Sequence, residues 1–259
     1  METTVIAFKE GGKGIIQLNR VAEKNTFNRE FAIALNHHLN KFEEDKEVRV
    51  VIIEAEGKHF STGIGLENFD KTDAYEMKEL LKLMDLHNHT IAKMKKPVIS
   101  SVKGYGIANG SGLAFASDLV VAAADAVFGT TAIRVGLACL GPAIPLSRHV
   151  TRKKLMQMLM TGNFVSAVEA YDLGLVNWVV DPADLRKKTH EVADELIEKN
   201  PHALAAIKDV VYRATELPYQ QALDAATDIF THLSVHKNAH HGVEAFSAKK
   251  KPNWPEKNV

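Results

Sequence analysis

Residues 103–129 read KGYGIANGSGLAFASDLVVAAADAVFG. The pattern is an apolar strand end, a Gly-rich turn, a small-residue helix and a second apolar strand. Gly104, Gly106, Gly110 and Gly112 are interleaved with Tyr105, Ile107, Asn109 and Ser111. Glycines at that density let a backbone approach a neighbour or a ligand closely. Leu113 to Ala116 begin an apolar helix behind the turn. Such a turn presents unpaired N–H groups at the helix's positive end, a place for an oxygen that gains negative charge during a reaction. Taken alone, the glycines also suit a tight strand-to-helix packing turn, and their spacing is not a dinucleotide fingerprint.

A second Gly turn lies upstream. Residues 57–69, GKHFSTGIGLENF, follow the apolar run Val50 to Ala55. Two such turns, each after an apolar strand, resemble the crotonase (enoyl-CoA hydratase/isomerase) superfamily. Its pattern runs F-(C/S)-(A/S)-G-x-D-L and, downstream, V-x-G-x-x-x-G-G-(G/A)-x-x-L-A-x-x-x-D. Phe60 to Leu66 and Val102 to Asp118 match these in order and spacing. The resemblance covers essentially the whole chain. Residues 239–254, AHHGVEAFSAKKKPNW, look like the family's ending, a G-x-x-A-F helix followed by a basic K-P-x-W. The resemblance implies an α/β fold. Residues 1–194 would form the crotonase core, a ClpP-like spiral of ββα units. Residues 195–259 would form a C-terminal helical region that makes a homotrimer or a dimer of trimers.

Bulk composition narrows the field. The chain has 259 residues, 46% hydrophobic and 25% charged, which is ordinary for a soluble globular protein. Thirty-two basic residues balance 32 acidic ones. That balance disfavours a nucleic-acid partner, which usually demands a basic surplus. The single cysteine, Cys139, allows no disulfide within the chain and fits a reducing compartment. No apolar run approaches the roughly 20 residues that span a bilayer. The expected location is therefore the cytoplasm, with no membrane partner.

Periodicity predicts the elements. Thr3–Phe8 and Gly14–Leu18 read as a hairpin around Gly11-Gly12. Asn28 to about Glu44 reads as an amphipathic helix, Arg49–Ala55 as a buried strand, and Lys71–Lys95 as one helix stopped by Pro97. Val98–Val102, Leu119–Ala122, Ala126–Phe128 and Val176–Val180 read as strands. Arg152–Met160 reads as a helix, and Ser166 to Glu169 as a capping box that starts another. Pro182–Lys199, His202–Glu216, Pro218–Lys237 and His240–Lys249 read as further helices. Strand and helix at this cadence suggest parallel βαβ units.

What the resemblance implies for the site is specific. Two backbone N–H groups bind a thioester oxygen in that family. Carried over, they belong to Ile64, after the Gly of F-x-x-G, and to Asn109, inside the downstream turn. Ala22, Glu23 and Lys24 would run along the coenzyme A end of the substrate. Ser61, Thr62, Gly63, Gly65 and Gly110 would line the substrate's path. Coenzyme A enters only as part of the substrate; no separate cofactor and no metal is implied. Ala108 and Asn109 stand where the family has Gly-Gly, and Gly65 where it has aspartate.

Acid–base groups are the departure. The family's hydratases use two glutamates, one to take a proton from water and one to deliver a proton to carbon. Their positions carry Gly112 and Ala132 here, and a third acid position, used by some isomerases, falls near Leu140. Ordinary two-glutamate hydration is therefore disfavoured. Asp85 is the candidate substitute, since it lies on the helix that lines the family's pocket. Asp85, Asn88 and His89 could form one polar helical stripe, facing either the pocket or solvent. Met84, Leu86, Leu137 and Cys139 are expected pocket walls. Three functions follow: an acyl-CoA enzyme working through an enolate, a non-catalytic CoA-thioester-binding relative, and, least favoured by the charge balance, an RNA binder.

Overall fold

The computed structural model describes residues 4–69 and 73–259. The chain opens with an antiparallel hairpin, β1 (Val5–Glu10) and β2 (Lys13–Leu18). Gly11 and Gly12 join them at φ of 56° and 82°, the left-handed pair that a two-residue hairpin turn requires. Thr3 and Lys71, where two of the expected elements begin, lie outside the described residues.

From β2 onward the sheet is parallel. It adds β3 (Val50–Ala55), β4 (Val98–Val102), β6 (Leu119–Ala123) and β9 (Trp178–Val180), in the order β1-β2-β3-β4-β6-β9. A small second sheet holds β5 (Tyr105–Ile107), β7 (Val127–Gly129) and β8 (Phe164–Ser166). All six residues of β3 are buried, and they alternate between two cores. Val51 and Ile53 join the large core with Phe31, Leu35 and Leu39 of α1 (Arg29–Glu44). Val50 and Ile52 join a smaller core with Leu185, Val192 and Ala193 of α8 (Leu185–Ile197). Coverage on both faces is what a parallel sheet of near-continuous Val and Ile needs.

The helix expected over 71–95 is two helices, α2 (Ala74–Met84) and α3 (Leu86–Lys93). Asp85 breaks them at φ −99° and ψ 0°. No proline or glycine is responsible. The Asp85 side chain does not cap α3; its carboxylate turns sideways to the Asn109 amide. Other expectations needed smaller adjustment. The helix after the Gly turn, α4 (Asn109–Ala116), starts four residues before Leu113, and β9 starts two residues after Val176. Ser166 does cap α7 (Ala167–Asp172), accepting from the Glu169 N–H at 3.2 Å.

Beyond the core come α9 (Pro201–Arg213), α10 (Tyr219–Ser234) and α11 (Lys237–Ser247); α5 (Leu140–Leu146) and α6 (Arg152–Thr161) lie earlier. A polar anchor docks α9 on the sheet. Lys208 Nζ donates to Asp118 Oδ2 at 2.6 Å and to the carbonyls of Lys96 and Ile91 at 3.0 and 3.2 Å. The same carboxylate takes the Val98 N–H at 2.7 Å and the Tyr212 hydroxyl at 3.0 Å. Among the described residues no helix is long and apolar enough to cross a membrane.

Removing one partner of a buried pair leaves the other charge uncompensated, at a cost of about 3–5 kcal/mol. Lys208→Met should therefore lower the urea midpoint substantially. The double variant Lys208→Met/Asp118→Asn should recover part of that loss, because the stranded carboxylate is gone. Equal stability of Lys208→Met and the parent would show that the anchor contributes nothing.

Candidate functional site

Adjacent parallel strands deliver their C-terminal turns side by side. The turn after β3 and the turn after β4 are stitched together by backbone. Phe60 N–H donates to Lys103 O, Ser61 N–H to Tyr105 O and Ile107 N–H to Ser61 O, each at 2.9 Å. The approach is so close that a Cβ at Gly110 would stand 2.3 Å from the Ser61 carbonyl oxygen. Gly63 has φ +96°, and a Cβ there would meet the Ala108 Cβ at 2.6 Å and the Asn109 nitrogen at 3.4 Å. Ala108 itself has φ +50° and ψ −122°, a sparsely populated conformation that costs of order 1–3 kcal/mol. Its N–H is held by Gly129 O at 2.7 Å.

A third loop closes the arrangement. Asn25, also left-handed at φ 55°, is buried and accepts the Arg20 N–H at 2.7 Å while its amide donates to the carbonyls of Glu56 and His59. It fixes residues 20–26 beside the first Gly turn, where Thr62 N–H reaches Lys24 O at 3.2 Å.

These loops frame a cleft of about 760 Å³. Ala22, Glu23, Lys24, Thr62, Ile64, Gly65, Asp85 and Asn109 all line it. Ser61, Gly63 and Gly110, expected on the substrate's path, are not part of its wall. They are buried joints behind it: the Ser61 hydroxyl donates to Asn25 O at 2.7 Å and accepts the Gly63 N–H at 3.3 Å. Leu137 and Cys139 do line the cleft, whereas Met84 is fully buried in the large core and Leu86 faces outward.

Two residues of the cleft wall, Ile64 and Asn109, carry backbone donors. The parallel bridge between Phe27 and Ile64 consists of Phe27 N–H to Gly63 O and Gly65 N–H to Phe27 O. It uses both neighbours of Ile64 and leaves the Ile64 N–H out. Asn109 is the first residue of α4, where an N–H has no intrahelical acceptor.

Charged groups are few. The Asp85 carboxylate accepts from Asn109 Nδ2 at 3.0 Å and lies against Gly141, where a Cβ would be 2.2 Å from Oδ2. Burial pushes the Asp85 carboxyl above the usual carboxylate range, opposed by the Asn109 hydrogen bond and by nearby His89. Of the expected polar stripe, Asp85 lines the cleft while Asn88 and His89 do not, and His89 is exposed. His87 is fully buried against the Phe27 ring at 5.5 Å, and burial pushes its pKa down to about 4. Burial also raises the Cys139 thiol.

The positions without acids are filled. A Cβ added at Gly112 would meet Pro142 Cγ at 3.1 Å and Cβ at 3.2 Å, so Pro142 occupies the side-chain space. Ala132 and Leu140 sit in the cleft wall. Sequence reasoning missed Glu67. Its carboxylate folds over Gly65, where a Cβ would stand 2.2 Å from Oε1. The signal was present: an acid two residues after the position where the family pattern has aspartate.

Comparison with known proteins agrees with this architecture. The family model described as enoyl-CoA hydratase/isomerase matches residues 9–257. The Dictyostelium discoideum protein named "Probable enoyl-CoA hydratase, mitochondrial" is 30% identical over 253 residues, covering 96% of this chain and 90% of that protein. A crystal structure of an enoyl-CoA hydratase from Mycobacterium smegmatis superposes with a TM-score of 0.94 at 33% identity, covering 98% of this chain and 99% of that one. Human enoyl-CoA hydratase domain-containing protein 3 gives 0.93 at 27% identity, over 97% of this chain and all (100%) of that one.

The Asp85 environment makes a signed prediction. Removing the hydrogen bond that opposes desolvation, in Asn109→Ala, should raise the Asp85 pKa further in a carboxyl ¹³C titration. A carboxyl whose folded pKa is raised contributes stability below its ordinary value of 3.8, and that contribution is lost as pH rises through the folded value. Asp85→Asn should therefore be more stable than the parent near pH 7, and the difference should vanish in acid.

Proposed function

We propose, from the premise that this chain belongs to the enoyl-CoA hydratase/isomerase family, that the cleft binds an acyl-CoA thioester and stabilises its enolate. The Ile64 and Asn109 N–H groups would hold the thioester oxygen. Asp85 would be the acid–base group. Ala22, Glu23 and Lys24 would lie along the coenzyme A portion, with Lys24 offering a cation to its phosphates. The observation that supports the reading is that Ile64, Asn109 and Asp85 line one cleft: the Phe27–Ile64 bridge does not use the Ile64 N–H, Asn109 opens α4, and burial raises the Asp85 carboxyl.

Hydration can then run on one carboxylate. Water adds to the β-carbon as Asp85 takes a proton from it. The double-bond electrons move onto the thioester oxygen, held by the two N–H groups. When the enolate collapses, Asp85 returns that proton to the α-carbon. The sum is one water added across the double bond. Isomerisation would pass through the same enolate, with Asp85 moving a proton between carbons. One oxyanion donor is typically worth about 10²–10³-fold in rate. One positioned acid–base group contributes about 10²–10⁴-fold.

A second reading is a CoA-thioester-binding protein that does not catalyse. Pro142 in the side-chain space of Gly112, and Ala132 and Leu140 at the other acid positions, favour it. Under either reading a homotrimer or dimer of trimers is proposed. It would cover the exposed Phe230 of α10 and the exposed Val243 and Phe246 of α11. The buried, lone Cys139 fits work in a reducing cytoplasm.

Crotonyl-CoA tests this directly through loss of its conjugated-thioester absorbance. Asp85→Asn should lower kcat at least about 10²-fold with little change in KM. Asn109→Pro removes the N–H at the first helical position and should abolish turnover, with folding checked by circular dichroism. Asn109→Ala keeps the N–H and should retain part of the rate. Full activity in Asp85→Asn would exclude Asp85 as the acid–base group. Saturable binding without turnover in the parent would favour the second reading.

A further inference from the structure

We propose that His202, His236 and Glu256 form a site for one divalent transition-metal ion of the zinc class, outside the cleft. The three residues come from distant points of the chain. His202 is the second residue of α9, His236 precedes the first residue of α11, and Glu256 lies beyond α11. One donor atom from each lies within 4.8 Å of the others. His236 Nε2 is 2.9 Å and His202 Nε2 3.3 Å from the same oxygen, Glu256 Oε2. Donors bound to zinc at roughly 2.0–2.1 Å in a tetrahedron stand about 3.3 Å apart. The two edges to the carboxylate oxygen, 2.9 and 3.3 Å, lie near that spacing, and the edge between the two imidazole donors is within 4.8 Å.

The supporting residues fix the donors. Asn238 is fully buried and clamps Glu256 from both sides of its peptide: Nδ2 donates to Glu256 O at 2.7 Å, and Oδ1 accepts the Glu256 N–H at 3.0 Å. The same amide donates to Asn200 Oδ1 at 3.1 Å, at the start of α9. One buried side chain thus ties together all three segments that supply ligands. Such second-layer hydrogen bonding is what orients ligands in metal sites. The two imidazole rings lie 3.9 Å apart. His202 Nε2 is buried and has no hydrogen-bond partner among the described residues. An ion between the rings and the carboxylate would satisfy that nitrogen. His202 and His236 also line a cleft of about 730 Å³, a route for the ion.

Three features oppose a cation and set its affinity. His236 Nδ1 now accepts the Asn238 N–H at 3.2 Å, so its ring proton sits on Nε2 and points to Glu256. Ligation moves that proton to Nδ1 and gives up the Asn238 contact. Lys237 Nζ pairs with the other carboxylate oxygen, Glu256 Oε1. The N-terminal ends of α9 and α11 add positive potential. Binding should therefore be micromolar rather than nanomolar.

The test uses the full chain, metal-stripped and then titrated with Zn(II) alone. One equivalent should bind, and Co(II) in its place should show the visible bands of a tetrahedral site. Glu256→Gln keeps the Asn238 clamp on the peptide, so it should fold while losing at least tenfold in affinity. His202→Ala should behave alike, with folding checked by circular dichroism. Lys237→Ala should tighten binding several-fold. His240→Ala and His241→Ala should leave it unchanged. No stoichiometric binding, or binding that survives both His202→Ala and Glu256→Gln, would overturn the proposal.

Discussion

The contact between the Ser61 carbonyl and Gly110 is the constraint on which the cleft depends. At this joint the peptide of one turn occupies the place a side chain would take on the other. Everything nearby is arranged to permit it. Gly63 gives way to Ala108, Ala108 accepts a strained conformation, and Gly129 holds the strained peptide by its carbonyl. The parallel pairing of β3 with β4 brings the two turns to the same sheet edge before any side chain is considered. Ligand sites at the carboxyl ends of parallel strands follow from that geometry.

The proposed backbone donors are tolerant in one respect and exacting in another. The N–H groups of Ile64 and Asn109 do not depend on what their side chains are. The side chains are free to take other work, and Asn109 does so by holding Asp85. The backbone conformations around those N–H groups are not free. Asn25, Gly63 and Ala108 all have positive φ, and each is pinned by neighbours from another loop. Asp85 extends the same logic, since the break between α2 and α3 turns its carboxylate inward rather than toward a helix end.

Most of the fold was legible because it rests on periodicity. Four consecutive buried aliphatics in β3, the 3.6-residue spacing of Phe31, Leu35, Leu39 and Phe42, and the Gly11-Gly12 turn each have one physical reading. The two Gly turns were legible through their spacing and the family pattern. What sequence could not reveal depends on three dimensions. The helix break at Asp85 has no proline or glycine to announce it; a lateral hydrogen bond to a residue 24 positions away accompanies it. Ser61, Gly63 and Gly110 looked like lining because they sit in the motif, yet their role is to let one backbone lie on another. Glu67 was overlooked although an acid stands two residues after the family's aspartate position, because only the folded side chain shows that its carboxylate reaches back over Gly65.

The packing of Pro142 into the space beside Gly112 couples the two positions. Two positions on separate helices, α4 and α5, have become mutually dependent. A side chain at position 112 would press on the proline ring, and removing the proline would open space beside a glycine. The two positions are therefore coupled neighbours, and the effect of changing both is not the sum of the two single changes.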